Sequence, residues 1–163
     1  VIHNDWRFDN VILDPQQPTQ VIGVLDWEMA TLGDPLMDLG SALAYWIQED
    51  DDALMKSSRR QPTNLKGMLT RQQVVDYYLE KTGLQPDNWA FYEVFGLFRL
   101  AVIAQQIYYR YYHQQTDNPA FKDFWIMIHA LHIRALKLIA QNHPQAQPLI
   151  AEYGSKLQDI LKR

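Results

Sequence analysis

Three polar side chains near the start of the sequence have the types that phosphoryl-transfer chemistry needs. Asp5 could accept the proton of a hydroxyl group, while Asn10 and Asp26 could offer an amide oxygen and a carboxylate oxygen to a metal ion. Oxygen ligands of this kind are the ones that Mg²⁺ prefers in proteins. Phosphoryl transfer from ATP depends mainly on positioning and charge neutralisation, so few residues are enough for it. The sequence therefore predicts Asp5 as catalytic, and Asn10 with Asp26 as the residues that hold Mg²⁺ and ATP.

The spacing of these residues supports that prediction. The catalytic loop of protein kinases reads His-x-Asp with an Asn five residues after the Asp, and His3, Asp5 and Asn10 stand in this register. Asp26 follows the apolar run 21–25, which is typical of a buried strand. We therefore expect its carboxylate to meet the loop at the end of the neighbouring strand.

Three further residues are predicted to assist. Arg7, two residues after Asp5, is predicted as a second catalytic residue that brings positive charge to the transferred group, although a surface charge is an equal interpretation. The ring of His3 is expected to hydrogen-bond to backbone near Asp26 and hold the loop. Asp38 lies one helical turn beyond Asp34 and could reach back to the backbone of the same loop.

These motifs resemble those of the aminoglycoside phosphotransferase and choline kinase group, whose fold is kinase-like. The resemblance is to the C-terminal lobe, and especially to the kinase-like domain of some multidomain acyl-CoA dehydrogenases and their stand-alone bacterial relatives. The matching segments are 3–10, 24–39, 87–92 and 98–105, and one difference is Asn4, where the family usually has Gly. The resemblance implies an ATP- and Mg²⁺-dependent enzyme that transfers the γ-phosphoryl group to a hydroxyl of a small molecule. A hydroxyacyl-CoA or a similar hydroxylated acid is the acceptor that this branch suggests.

Two other classes of function stay open. One is a catalytically silent kinase-like protein that binds a nucleotide or a partner. The other is a helical interaction module in which the polar loop residues are incidental, which would require Asn10 and Asp26 to point away from each other. Binding of ATP without transfer would favour the first.

Composition limits the remaining classes. The 163 residues suffice for one domain with a real core. A net charge of −4 argues against nucleic-acid binding. The absence of cysteine excludes a disulfide framework and is compatible with a cytoplasmic protein. Since no run of eighteen apolar residues occurs, no membrane-spanning helix is expected.

The chain opens at the end of a predicted strand, without Met, and none of its seven glycines forms a Gly-rich phosphate loop. We therefore expect residues 1–163 to be a C-terminal catalytic lobe whose ATP-covering N-terminal lobe is absent from this chain.

The predicted fold class is α+β and mostly helical, with a small β-hairpin at the catalytic site. The hairpin pairs residues 10–14 with 21–26. Helices are expected over 35–48, 70–83, 88–114, 118–141 and 149–162, with a loop over 49–69. Asp34 is predicted to cap the first of these helices, and Thr70 with Gln73 resembles a capping box at the second. The stripe Phe91, Phe95, Phe98 and Val102 has the spacing of a core-facing helix.

Several weaker candidates concern the acceptor. Arg59 and Arg60 in the predicted loop could meet an anionic acceptor, and the tyrosines of 108–112 could line its pocket together with Arg110. The acidic run 49–52 could attract a cationic acceptor, although a solvated helix end is its commoner meaning.

Overall fold

The computed structural model describes residues 1–161, together with their side chains except those at positions 54, 160 and 161. Within these residues, two short strands precede six helices. The strands are β1 (Val11–Leu13) and β2 (Val21–Val24), and the helices are α1 (Pro35–Ala44), α2 (Ala53–Ser57), α3 (Arg71–Thr82), α4 (Trp89–Tyr112), α5 (Phe124–Asn142) and α6 (Gln147–Leu161). Short 3₁₀ turns occur at Phe8–Asn10, Trp27–Met29, Pro119–Phe121 and Pro144–Ala146. The predicted mostly helical α+β class is confirmed.

The hairpin is antiparallel, with Val11 opposite Val24. Its turn is fixed by the Asp14 carboxylate, which accepts the backbone N–H groups of Gln16 and Gln17 at 2.7 and 3.0 Å. The prediction that 21–25 is buried is wrong, because Ile22 is 54% exposed. No other described residues form a layer over the apolar side chains of this two-stranded hairpin, so these side chains stay exposed.

Local capping determines where the helices begin. The Asp34 carboxylate accepts the N–H of Leu36 at 2.8 Å, which starts α1. Thr70 and Gln73 form a reciprocal capping box at α3, as the sequence predicted. Helix α5 begins at Phe124 rather than at 118, because Asn118 instead caps a 3₁₀ turn. The predicted end of the last helix at Lys162 lies outside the described residues.

The predicted continuation of α1 to residue 48 is wrong, because side chains of the following segment accept hydrogen bonds from the next backbone N–H groups. The N–H of Ile47 donates to Thr63 Oγ1 at 3.0 Å, and that of Gln48 donates to Asp51 Oδ2 at 2.7 Å. The expected loop 49–69 also contains α2, whose start is capped by Asp52 through the N–H of Met55.

The core lies where α4 packs against α1 on one side and α5 on the other. Its buried side chains are Ala44, Leu97, Leu100 and Leu131, and a second cluster joins Leu39 and Leu43 to Val75 of α3. Helices α1 and α4 approach each other backbone to backbone. A Cβ atom on Gly96 would stand 2.0 Å from Gly40 O, and one on Gly40 would stand 2.2 Å from Tyr92 O.

Helix α4 also has a bare apolar face. The prediction that the 91–102 stripe is core is wrong, since Phe91, Phe98 and Val102 are 54%, 64% and 38% exposed. By length and composition alone α4 could also cross a membrane, which the sequence had not led us to expect. In the structure its opposite face, with Leu97 and Leu100, packs in the protein core.

Candidate functional site

The loop that carries the predicted catalytic residues is held at its first residues. Ile2 and Thr31 exchange backbone hydrogen bonds of 2.8 and 3.1 Å. The Asp38 carboxylate accepts the N–H groups of His3 and Asn4 at 2.6 and 2.8 Å. Helix α1 thus presents a carboxylate to the loop backbone, in the position that the sequence had indicated for Asp38.

His3 joins the loop to the second motif. Its Nε2 lies 2.7 Å from Leu25 O, and its Nδ1 lies 3.2 Å from the N–H of Asp5. A carbonyl only accepts and an N–H only donates, so both bonds are satisfied by the neutral ring protonated at Nε2. The ring is buried and points towards backbone, so its place is structural.

Asn4 adopts a left-handed backbone with a φ of 66°. Asparagine tolerates this conformation better than most residues. Its side-chain amide donates to Met29 O at 2.9 Å, so the group that replaces the family's Gly ties the loop to the turn after Asp26. Its own carbonyl accepts a hydrogen bond of 2.5 Å from Arg99 of α4. Arg99 was missed as a site residue, although it lies within the matching segment 98–105.

Asp5 and Asn10 lie in direct contact. The side-chain amide of Asn10 donates to Asp5 O at 2.8 Å and to Asp5 Oδ2 at 3.2 Å. The N–H of Leu25 donates to Asn10 O at 2.8 Å. Asp26 therefore directly follows the residue that is hydrogen-bonded to Asn10. The hairpin therefore brings the segments carrying all three predicted site residues together.

Asp26 has two unusual features. It is one of the few residues other than Gly with positive φ, at 62°, and strained backbone of this kind often marks functional sites. Its side chain caps no helix, and no described residue donates a hydrogen bond to its carboxylate. Because the amide nitrogen of Asn10 is engaged by Asp5, the oxygen of Asn10 and the carboxylate of Asp26 are the groups left for a ligand. One amide and one carboxylate oxygen fit Mg²⁺, which binds through one or two carboxylates and substrate phosphates.

Arg7 is engaged by its neighbours. Its guanidinium pairs with the carboxylate of Asp9, with a 3.0 Å bond from Nε, and lies 5.3 Å from the centre of the Tyr45 ring. Burial alone would lower the pKa of Arg7, but the hydrogen bonds that it donates to Asp9 and the charges of Asp5 and Asp9 outweigh burial and raise the pKa. The group therefore stays cationic beside Asp5.

A cleft of about 780 Å³ opens beside the loop. One end of the cleft carries Asp5, Arg7 and Glu28, and its far walls come from α4, α5 and the segment after α2. Arg60 and Arg110 line this cleft, as the sequence had suggested for an acceptor pocket, whereas Arg59 instead donates to Asn64 at 2.9 Å.

Known proteins share both sequence and fold with this chain. Residues 1–69 match the model of a family described as "Phosphotransferase enzyme family". The structure superimposes on a Ralstonia eutropha protein described as an aminoglycoside phosphotransferase with a TM-score of 0.59 and 27% identity, covering 95% of this chain and 42% of that one. The predicted resemblance is therefore confirmed, and the chain has a kinase-like phosphotransferase fold.

Curated relatives add a second group. Mouse acyl-CoA dehydrogenase family member 10 is 38% identical over 112 residues, which is 68% of this chain and 10% of that protein. Human family member 11 is 32% identical over 114 residues, again 68% of this chain and 14% of that protein. Chicken family member 11 is 29% identical over 143 residues, 85% of this chain and 18% of that protein. The chain thus spans less than a fifth of the length of these relatives.

Proposed function

We propose that this chain is the C-terminal catalytic lobe of an ATP-dependent phosphotransferase that acts on a hydroxyl of a small molecule. The observation that carries the proposal is that Asn10 is hydrogen-bonded to Asp5 and, through its backbone, to Leu25 next to Asp26, while Asp5 lines a cleft large enough for an acceptor. A hydroxyacyl-CoA or a related hydroxylated acid is the proposed acceptor, which is consistent with the acyl-CoA dehydrogenase relatives.

Each residue has a proposed task. Asp5 orients the acceptor hydroxyl and accepts its proton, because one carboxylate oxygen is held by Asn10 and the other is free to face the cleft. Asn10 and Asp26 would hold Mg²⁺ and, through it, ATP. When bound, the ion would offset the negative charge of the phosphate groups. Arg7 adds a fixed positive charge beside Asp5, while His3 and Asp38 keep the loop in place.

The apolar surface of the hairpin fits the proposal of a separate ATP-covering lobe. Ile12, Val21, Ile22 and Leu25 are each more than 40% exposed, as is Trp27 beside Asp26. The proposed N-terminal lobe would cover this surface and complete the nucleotide site. Because that lobe is absent from residues 1–163, we expect these residues alone not to turn over ATP. The cytoplasmic location is a separate prediction.

The test compares two variants of the complete protein on a panel of hydroxyacyl-CoA, sugar and aminoglycoside acceptors. Asp5→Asn should lower kcat by roughly 10²–10⁴-fold, the usual loss for a general base, while ATP still binds. Asp26→Asn should abolish Mg²⁺-dependent ATP binding. Asp76→Asn, on the exposed surface of α3, is the matched control.

The outcomes separate the candidate functions. Near wild-type rates in both site variants, on an acceptor verified by product analysis, would refute the assignment. Mg²⁺-dependent ATP binding with no transfer to any acceptor would favour the catalytically silent alternative.

A further inference from the structure

The far part of the cleft is lined by two apolar stripes that face each other. Leu100, Ile103 and Ile107 come from successive turns of α4, and Phe124, Met127 and Leu131 come from successive turns of α5. Residues at this spacing lie on one face of a helix. An acceptor that enters from Asp5 would therefore pass between apolar walls, and its body must be largely apolar.

Four arginines line the cleft, but they do not have the same surroundings. Arg7 pairs with Asp9, and Arg99 donates to Asn4 O, so both are engaged by the catalytic loop. Arg60 and Arg110 form no ion pair with any described carboxylate. The guanidinium of Arg60 lies 5.5 Å from the centre of the Phe124 ring, directly against one apolar wall.

The positions of the charges give the cleft a direction. Its acidic residues, Asp5, Asp9 and Glu28, all belong to the catalytic loop and the adjoining turn. Arg110 lies in the last turn of α4, eleven residues beyond Arg99, which corresponds to about 16 Å along the helix axis. The cleft therefore runs from an acidic, hydroxyl-accepting end to a cationic end across an apolar wall.

We propose that Arg60 and Arg110 form an anion-binding subsite that receives the charged end of an apolar, hydroxylated acceptor. The inference rests on the proposed function, because it takes Asp5 as the reacting end of the cleft. Guanidinium groups favour carboxylates and phosphates through charge-assisted hydrogen bonds. A carboxylate of a hydroxy acid and a phosphate of coenzyme A are two sources of the same chemistry. A polycationic acceptor would meet two unpaired arginines and an apolar wall, so it is disfavoured.

The experiment separates anion recognition from phosphoryl transfer in the complete protein. The first measurement is the Kd of dodecanoate by calorimetry, because this ligand carries the anion but no hydroxyl. The second is steady-state transfer to 12-hydroxydodecanoate, to its neutral methyl ester and to its coenzyme A thioester. The variants are Arg60→Gln and Arg110→Gln, with Arg59→Gln as the matched control, since Arg59 binds Asn64 outside the cleft.

Each subsite variant should weaken dodecanoate about tenfold and raise KM for the anionic acceptor by a similar factor, as expected for loss of a charged hydrogen bond. We expect kcat and the KM of the methyl ester to stay unchanged, and Arg59→Gln to behave as wild type. Sensitivity of the free acid alone identifies a carboxylate as the anion, and sensitivity of the thioester alone identifies a coenzyme A phosphate.

Two results would overturn the subsite. One is an unchanged Kd for dodecanoate together with an unchanged KM for both anionic acceptors in the two variants. The other is an equal loss in Arg59→Gln. Transfer that is insensitive to the arginines would refute the subsite and leave the proposed function standing. Arginine-dependent dodecanoate binding without transfer to any acceptor would support the subsite and refute the proposed function.

Discussion

At the scale of single residues, the carboxylate of Asp38 holds the first residues of the loop that carries Asp5. Both of its oxygens accept backbone N–H groups, those of His3 and Asn4. His3 in turn accepts from the N–H of Asp5 and reaches Leu25 O. One side chain on α1 therefore fixes the start of a chain of hydrogen bonds that ends at the predicted base.

Replacement of Asp38 by Asn should destabilise the protein markedly. An amide offers only one acceptor oxygen, so one buried N–H would face an NH₂ group. Hydrogen bonds to charged groups contribute about 1.5–3 kcal/mol each, and we expect a loss of about 2 kcal/mol in the free energy of unfolding. Urea unfolding measures it. Asp76→Asn on α3 should stay within about 0.5 kcal/mol, as surface changes do. Equal stability of Asp38→Asn and wild type would contradict the role given to this carboxylate.

The sequence could predict the residues of the site but not all of their connections. A shared site was indicated by the spacing of His3, Asp5 and Asn10 together with the sequence around Asp26. Arg99 was missed because its bond to Asn4 O joins positions 95 residues apart, and nothing in local spacing reports such a contact. The strained backbone of Asp26 is likewise invisible in a sequence, since Asp occurs in many conformations.

At the scale of elements, α1 and α4 cross with their backbones in direct contact. This contact depends on Gly40 and Gly96, where any Cβ atom would collide with backbone. Gly40→Ala should force the helices apart and cost about 1–3 kcal/mol, as overpacked cores do. Gly154→Ala is the matched control, because nothing lies within 4 Å of its Cβ position and Ala favours a helix interior. Thermal unfolding should show a lower Tm for the first variant and a slightly higher one for the second. A Tm for Gly40→Ala equal to that of wild type would contradict this packing.

A second element contact makes stability depend on pH. Arg71, at the start of α3, donates two hydrogen bonds of 2.7 Å to Asp51. Burial alone would raise the pKa of Asp51, but the bonds from Arg71 and from the Gln48 N–H outweigh it and lower the pKa. The contribution of this carboxylate to stability is therefore present above its unfolded-state pKa and is lost as pH falls through the lower folded-state pKa.

Asp51→Asn should accordingly be less stable than wild type at pH 7, and the difference should shrink in acid. The measurement is the free energy of unfolding in urea at pH 7 and at about pH 3. Asp50→Asn is the control, since its carboxylate is exposed and accepts only a side-chain amide from Gln48. A difference between Asp51→Asn and wild type that is the same at both pH values would count against the lowered pKa.

Element boundaries were predictable where the signal is local. The caps at Asp34 and Thr70 were read correctly because each lies within three residues of the N–H that it accepts. The end of α1 was not, because Thr63 ends it from 16 residues away. The helical period in 35–48 continues past the point where tertiary contacts stop it.

At the scale of the whole molecule, α4 has one packed face and one bare face. Leu97 and Phe98 are neighbours in sequence but are 1% and 64% exposed. Leu97→Ala should cost about 2–5 kcal/mol, while Phe98→Gln should change the unfolding free energy of residues 1–163 by less than about 1 kcal/mol. The measurement is urea unfolding of both variants, and similar losses would show that the exposed face is packed in solution.

The same helix shows why the overall packing was only partly predictable. Periodicity in α4 reveals two apolar faces, and the sequence alone does not say which of them meets α1 and α5. The apolar run 21–25 was equally hard to place. Hydrophobic residues indicate that a surface tends to be buried, but they do not show which element packs against it.

The contact between Gly40 and Gly96 limits how this protein could evolve a new specificity. Backbone has no rotamers, so α1 and α4 cannot slide past each other by small side-chain adjustments as ordinary helix pairs can. Helix α4 lines the cleft, and its Arg99 donates a hydrogen bond to Asn4 O. A mutation that displaced α4 to enlarge the cleft would also move the loop that carries Asp5, the proposed base. We therefore expect changes in preference for the proposed acceptor to arise in α5 and in the segment around Arg60, while the α4 wall stays fixed.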